Sequence, residues 1–306
     1  MKLSEVNPEL RRAYRIMRTT PVSNPLLLRL MQRLTPLIPD AKAPEGATLE
    51  KVRFGNAGGA RVYTPSGGGS GAALLWIHGG GLVIGAAVLD DRRCFAIAQE
   101  LGVVVVSAEY RLAPQHPFPL PLDDCLDAWD WLQQNAAARG IDPQRVAVGG
   151  QSAGGGLAAA LAQRIHDRGG VQPVAQWLFC PMLDDRTAAN RELDAVRHIV
   201  WHNRSNRTGW SAYLGTAGAA VVPDYAVPSR RTDLTGLPPA WIGTGDIDLF
   251  HDENMAYAER LTADGVPATF DVVPGGPHAF ESLGADTEVS VAYLGRAHRW
   301  LRERLG

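Results

Sequence analysis

Apolar residues along this chain alternate between short unbroken runs and longer stretches of helical period. Residues 73–78 and 103–109 are nearly continuous apolar runs, the pattern of strands buried on both faces of a parallel sheet. Further strands are predicted at 146–149, 176–180, 240–244 and 269–273. Helical spacing fills the gaps: 90–101, about 122–138 with Leu122, Cys125, Leu126, Trp129 and Leu132 on one face, a helix to about 168, and 252–264 ended by Gly265. A last helix at 288–304 would bury Val289, Tyr293, Ala297, Trp300 and Leu301. This alternation predicts an α/β fold, a doubly wound and mostly parallel central sheet flanked by helices.

Three regions stand outside the alternation. Residues 49–54 and 61–63 read as an opening antiparallel pair, followed by a flexible glycine-serine loop at 66–71. Before them, Leu3, Val6, Leu10, Tyr14 and Met17, then Leu26, Leu27, Leu30, Met31 and Leu34, recur at helical spacing and predict two short amphipathic helices. The long interval 183–237 carries Trp201, Trp210, Tyr213 and Leu214 on a helix-like stretch. An insertion after a strand's carboxyl end lies over the ligand-binding edge of such a sheet. The expected division is therefore cap helices in 1–45 and a catalytic domain in 46–306, interrupted by a cap insertion at about 184–230.

Composition narrows the ligand. The chain has 306 residues, of which 20% are charged, and a formal net charge of −2, so no basic surface invites nucleic acid. A small molecule is the expected ligand. Cys94, Cys125 and Cys180 are widely spaced and odd in number, which fits neither a disulfide framework nor a thiolate metal site. The first 20 residues are too charged for a secretory leader, and no run approaches the ~18 apolar residues of a membrane span. The expectation is a cytoplasmic protein without stable membrane insertion.

The candidate chemistry begins where the strand at 146–149 meets a glycine-flanked serine. Gly150-Gln151-Ser152-Ala153-Gly154 fits the G-x-S-x-G nucleophile elbow, a strained turn that presents Ser152 and aims the N–H of Ala153 at the group under attack. After the strand at 73–78, His78-Gly79-Gly80-Gly81 supplies an oxyanion loop, with Gly80 and Gly81 as donors and His78 as a tether for the turn. A base is expected after the last strand, and His278 stands there, in the turn of 274–280. The acid should follow the strand at 240–244. Of three aspartates there, Asp248 is chosen; Asp246 is placed to bond nearby backbone and Asp252 to cap the next helix. His198 and His202 form an H-x-x-x-H pair that could share one helix face, but neither the glutamate of H-E-x-x-H nor a third ligand accompanies it, so no metal is expected. The glycine-rich turns match neither G-x-G-x-x-G nor a lysine-bearing phosphate loop.

Five motifs carry a family resemblance: HGGG at 78–81, YRLAPQHPFP at 110–119, GQSAGG at 150–155, DLFHDE at 248–253 and GGPHAF at 275–280. In this order they resemble the hormone-sensitive-lipase-like, or family IV, bacterial carboxylesterases of the α/β-hydrolase fold. The resemblance covers about 70–306. It implies a triad of Ser152, Asp248 and His278, an oxyanion hole of Gly80, Gly81 and Ala153, an α-helical cap, and hydrolysis of short to medium acyl esters without metal or organic cofactor. Gln151 departs from the Asp or Thr usual before the serine, which leaves open the branch and whether the chain forms a homodimer. Leu249 replaces a usual proline. An amidase or lactonase would use the same machinery, whereas a non-catalytic ligand receptor on this scaffold is disfavoured by the intact Ser, Asp and His.

Overall fold

Eight strands form one sheet in a computed structural model that describes residues 1–15, 17, 21–54 and 58–306. Positions 16 and 18–20, within the expected cap segment, lie outside the described residues. The strands are β1 (Thr48–Phe54), β2 (Gly58–Thr64), β3 (Ala73–Ile77), β4 (Val104–Glu109), β5 (Val146–Gln151), β6 (Gln176–Phe179), β7 (Ala240–Gly245) and β8 (Ala268–Val273). Their order is β1-β2-β4-β3-β5-β6-β7-β8. β1, β2 and β4 pair antiparallel, and from β4 onward every neighbouring pair is parallel.

The helices are α1 (Arg11–Tyr14), α2 (Pro25–Leu34), α3 (Asp91–Leu101), α4 (Leu120–Asn135), α5 (Ala153–Arg168), α6 (Asp185–Ala189), α7 (Asn203–Leu214), α8 (His251–Ala263), α9 (Phe280–Leu283) and α10 (Glu288–Leu305). Side chains on a strand alternate between faces, and this sheet uses both. On β3, Ala73, Leu75 and Ile77 join the core under α4, α5 and α8, while Leu74 and Trp76 join the core under α3 and α10. Both faces are buried, so these strands read as unbroken apolar runs rather than as alternation.

The N-terminal segment departs from its helical period. Among the described residues up to Met17 only one helical turn forms, at α1, yet Val6, Leu10 and Tyr14 are buried in the α3/α10 core. Isolated short helices are marginal in water, and docking against the sheet decides the conformation here. The Asn7 N–H donates to Gly275 O at 2.8 Å, stitching this segment to the loop after β8.

The acidic positions of α4 do more than complement its dipole. Asp124, buried, takes the Arg111 guanidinium; Asp123 pairs with Arg164 and Asp130 with Arg168, so each ties α4 to another part of the chain. A tighter hub lies at the start of α3. Asp91 is 1% exposed and accepts from Arg61 Nε and Nη2, each at 2.7 Å, from Tyr63 Oη at 2.7 Å and from Ala41 N at 2.8 Å. Asp91→Ala strands the buried Arg61 charge with only the half-exposed Asp40 as partner. Breaking a buried pair from one side costs ~3–5 kcal/mol, a loss that urea unfolding should register; a change below ~1 kcal/mol would contradict the hub.

Candidate active site

The turn after β5 is held from several sides. Ser152 has φ 56° and ψ −121°, a left-handed-side conformation that an L-residue adopts at a cost of about 1–3 kcal/mol. Its N–H donates to Phe179 O at 2.8 Å, and its carbonyl accepts from Gly156 N at 3.0 Å and Met182 N at 2.9 Å, which together fix the strained geometry. Glycine two residues later is a steric need: a Cβ on Gly154 would lie 2.0 Å from Ile77 O of β3. The strand-to-helix turn thereby packs close enough to β3 for the Ser152 hydroxyl to stand at the carboxyl edge of the sheet.

Three separate loops converge on that hydroxyl. His278 Nε2 lies 3.0 Å from Ser152 Oγ, and His278 Nδ1 lies 2.8 Å from Asp248 Oδ2. The other Asp248 oxygen accepts from Phe250 N at 2.9 Å, which orients the carboxylate. All three side chains are buried, and the imidazole is braced edge-on by Phe250, with ring centroids 5.2 Å apart. Burial alone would push the His278 pKa down, but the adjacent Asp248 charge raises it well above the ordinary histidine value. Cys180 also touches this cluster, its sulfur within 4.8 Å of the Asp248 and His278 donor atoms. Burial pushes the Cys180 thiol pKa up.

The other two aspartates of the motif go elsewhere. Asp246 Oδ1 accepts from Gly275 N at 2.6 Å, a bond to nearby backbone that braces the His278 loop. Asp252 makes no capping bond on α8; its exposed carboxylate meets only His251 Nδ1, at 2.8 Å. That corrects the expected capping role, because α8 starts one residue earlier, at His251, and carries Asp252 inside its first turn. His198 and His202 do not share a helix face either: His202 is the N-cap of α7, taking Ser205 N at 3.0 Å, and His198 precedes the helix.

Opposite the elbow runs the glycine loop. Among the described residues, no backbone or side-chain acceptor takes the N–H of Gly80 or Gly81. Gly81 has φ +59°, and a Cβ there would lie 2.1 Å from Trp201 Cη2. The His78 ring stacks on Tyr110 at 4.2 Å between centroids and its Nδ1 is 2.8 Å from Gly79 O, consistent with a tether.

A pocket of about 250 Å³ opens here, with Ser152, Gln151, His278 and the glycine loop in its floor and Met31, Thr35, Val200 and Trp201 from outside the sheet in its walls. A larger groove of about 550 Å³ between Gln163 and Asp233 contains no triad residue, and its Arg231 and Asp167 charges pair with each other. We regard the smaller one as the chemical site.

Several residues make contacts at the site that the sequence did not foretell. Trp201, expected on a helix, lies just before α7 and covers the glycine loop at Gly81. Tyr14 Oη donates to His278 O at 2.8 Å, so the N-terminal segment braces the histidine loop. Gln151 Nε2 donates to Ser282 Oγ at 2.7 Å and to Glu281, whose carboxylate also takes Arg93 at 3.3 Å. Through these bonds the residue beside the serine is tied to the short helix that follows the histidine.

Comparison with known proteins gives this geometry a lineage. The model of the alpha/beta hydrolase fold family matches residues 74–282, about two thirds of the chain. The chain belongs to this family. The α/β hydrolase is 38% identical to the ethyl acetate hydrolase of Pseudomonas putida over 225 residues, which cover 72% of this chain and 69% of that protein. It is 34% identical to carboxylesterase NlhH of Mycobacterium tuberculosis over 239 residues, 76% and 73% of the two chains. Among solved structures, a bacterial heroin esterase superposes on the α/β hydrolase with a TM-score of 0.90 at 35% identity over the whole of both chains. The hormone-sensitive-lipase-like resemblance read from the five motifs agrees with these relatives. No helix among the described residues is long and apolar enough to cross a membrane.

Proposed function

We propose that Ser152, His278 and Asp248 carry out carboxylic ester hydrolysis through an acyl-serine intermediate. The chain is a carboxylic ester hydrolase acting on small-molecule esters. The observation that supports the residue roles is the unbroken hydrogen-bond path from Asp248 Oδ2 through the imidazole to Ser152 Oγ, with steps of 2.8 and 3.0 Å, inside the pocket. Ser152 Oγ attacks the ester carbonyl as His278 Nε2 takes its proton. Asp248 holds the other ring nitrogen and stabilises the imidazolium. The N–H groups of Gly80, Gly81 and Ala153 receive the developing oxyanion, each preorganised donor being worth ~3 kcal/mol of barrier. Collapse expels the alkoxide, which leaves with the proton from His278. Water, deprotonated by the same nitrogen, then attacks the acyl-serine and releases the carboxylic acid.

The cap in this reading consists of α2 and the insertion at about 184–230, which contribute Met31, Thr35, Val200 and Trp201 to the pocket wall. A pocket of about 250 Å³ under such a cover suits short to medium acyl groups. The three unpaired cysteines suit a reducing cytoplasm. A series of nitrophenyl esters with increasing acyl length tests the reading: butyrate or hexanoate should give the highest kcat/KM, and faster turnover of emulsified long-chain lipid would contradict it.

A further inference from the structure

One carboxylate lines the pocket apart from the catalytic cluster. Beside the apolar Met31, Ile84, Leu89 and Trp201, the pocket is lined by Asp90; neither lysine nor arginine is among its described lining residues. Asp90 occupies the N-cap position of α3, where a carboxylate ordinarily bonds the first free N–H groups of the helix, yet its side chain makes no capping bond. Instead Oδ2 accepts from the indole N–H of the fully buried Trp76 at 2.7 Å.

That bond accounts for one oxygen only. A buried tryptophan N–H needs an acceptor, but an amide or hydroxyl would serve it without bringing a charge into the pocket. Among the described residues no cation lies within ion-pair distance of Asp90, the nearby Arg93 pairing with Glu281 instead. Arg93, three positions on, is near enough for its charge to be felt by Asp90, but it gives its hydrogen bonds to Glu281 and Ser282. The neighbouring Asp91, locked by Arg61 and Tyr63, fixes the start of α3 and with it the position of Asp90. A carboxylate lining the pocket favours a ligand that brings a positive charge to it. A substrate bearing its own cation supplies that charge on binding, and the Trp201 ring, which also lines the pocket, is a further group a cation can meet.

We propose that Asp90 is a cation subsite of the catalytic pocket, so that the preferred esters carry an ammonium group whose charge rests against Asp90 while their carbonyl faces Ser152. This rests on the esterase reading above and names its substrate class. The test compares cationic esters with neutral isosteres in which carbon replaces nitrogen. One pair carries the charge in the alcohol, butyrylcholine against its tert-butyl analogue; the other carries it in the acyl part, an ethyl butanoate ending in trimethylammonium against its tert-butyl analogue. In the native enzyme at least one cationic ester should exceed its isostere by up to about fivefold in kcat/KM, the size expected for a partly screened charge pair. Asp90→Asn, which keeps an acceptor for Trp76, should bring that ratio towards one, whatever it does to the neutral member. Raising NaCl from ~20 mM to ~500 mM should shrink the native ratio, and this measurement decides the matter if the variant does not fold. Parity within both pairs in the native enzyme, a preference that survives Asp90→Asn, or a preference indifferent to salt would overturn the subsite. Hydrolysis of the neutral esters would in each case leave the triad reading standing; failure to hydrolyse any ester would remove that reading instead.

Discussion

Ser152→Ala should reduce ester turnover by about 10⁶-fold, the loss seen when the nucleophile of a serine hydrolase is removed. The residual rate would come from the glycine-loop donors and from binding, which the substitution leaves in place. Folding should be nearly unaffected. Among the described residues the hydroxyl of Ser152 bonds only to His278, whereas the strained backbone at φ 56° is held by main-chain bonds that alanine retains. A melting temperature close to that of the native chain, together with abolished hydrolysis, is the expected result. Turnover persisting in a pure preparation would exclude Ser152 as nucleophile.

Asp248→Asn should lower kcat by ~10⁴, because the amide preserves shape but presents the wrong partner to His278 Nδ1. The pH profile carries the more telling signature. Below its pKa His278 is an imidazolium and cannot accept the serine proton, so activity is gained as pH rises through that pKa. Since the Asp248 charge opposes burial and raises the value well above the ordinary ~6.5, the acid limb of kcat/KM should lie above that of a free histidine. In Asp248→Asn it should move to lower pH. The same sign governs stability: a raised histidine pKa contributes stability that is fully present below ~6.5 and lost as pH rises through the folded-state value. Asp246→Asn provides the contrast. Its oxygen bonds the Gly275 N–H, an acceptor role that asparagine keeps, so kcat should stay within about threefold. If Asp246→Asn is the crippled variant and Asp248→Asn is active, the acid has been assigned to the wrong residue.

The sheet and the elbow were legible in the sequence for one physical reason. Strands buried on both faces must be apolar throughout, and the turn at Ser152 must have hydrogen side chains where β3 approaches, so 73–77, 146–149 and Gly154 leave unambiguous marks. Chain order then pointed to Asp248 and His278, and the structure brings both to the serine. Residues acting through tertiary docking leave no such marks. The spacing of Val6, Leu10 and Tyr14 correctly announced burial but not its form, since contacts with the sheet, rather than helix period, set the conformation. Trp201 read as one more apolar residue in an insertion, because sequence does not reveal which loop side chain will cover Gly81. Asp252 resembled a helix cap because a one-residue shift in where α8 begins separates a capping carboxylate from an exposed one.

The central claim is that Ser152 is the group that becomes acylated, and a fluorophosphonate tests it most directly, since such reagents phosphonylate an activated serine hydroxyl. After stoichiometric labelling and proteolysis, mass spectrometry should locate a single adduct on Ser152, absent from Ser152→Ala, with loss of esterase activity proportional to labelling. An adduct on another residue, or full inactivation with Ser152 unmodified, would contradict the account.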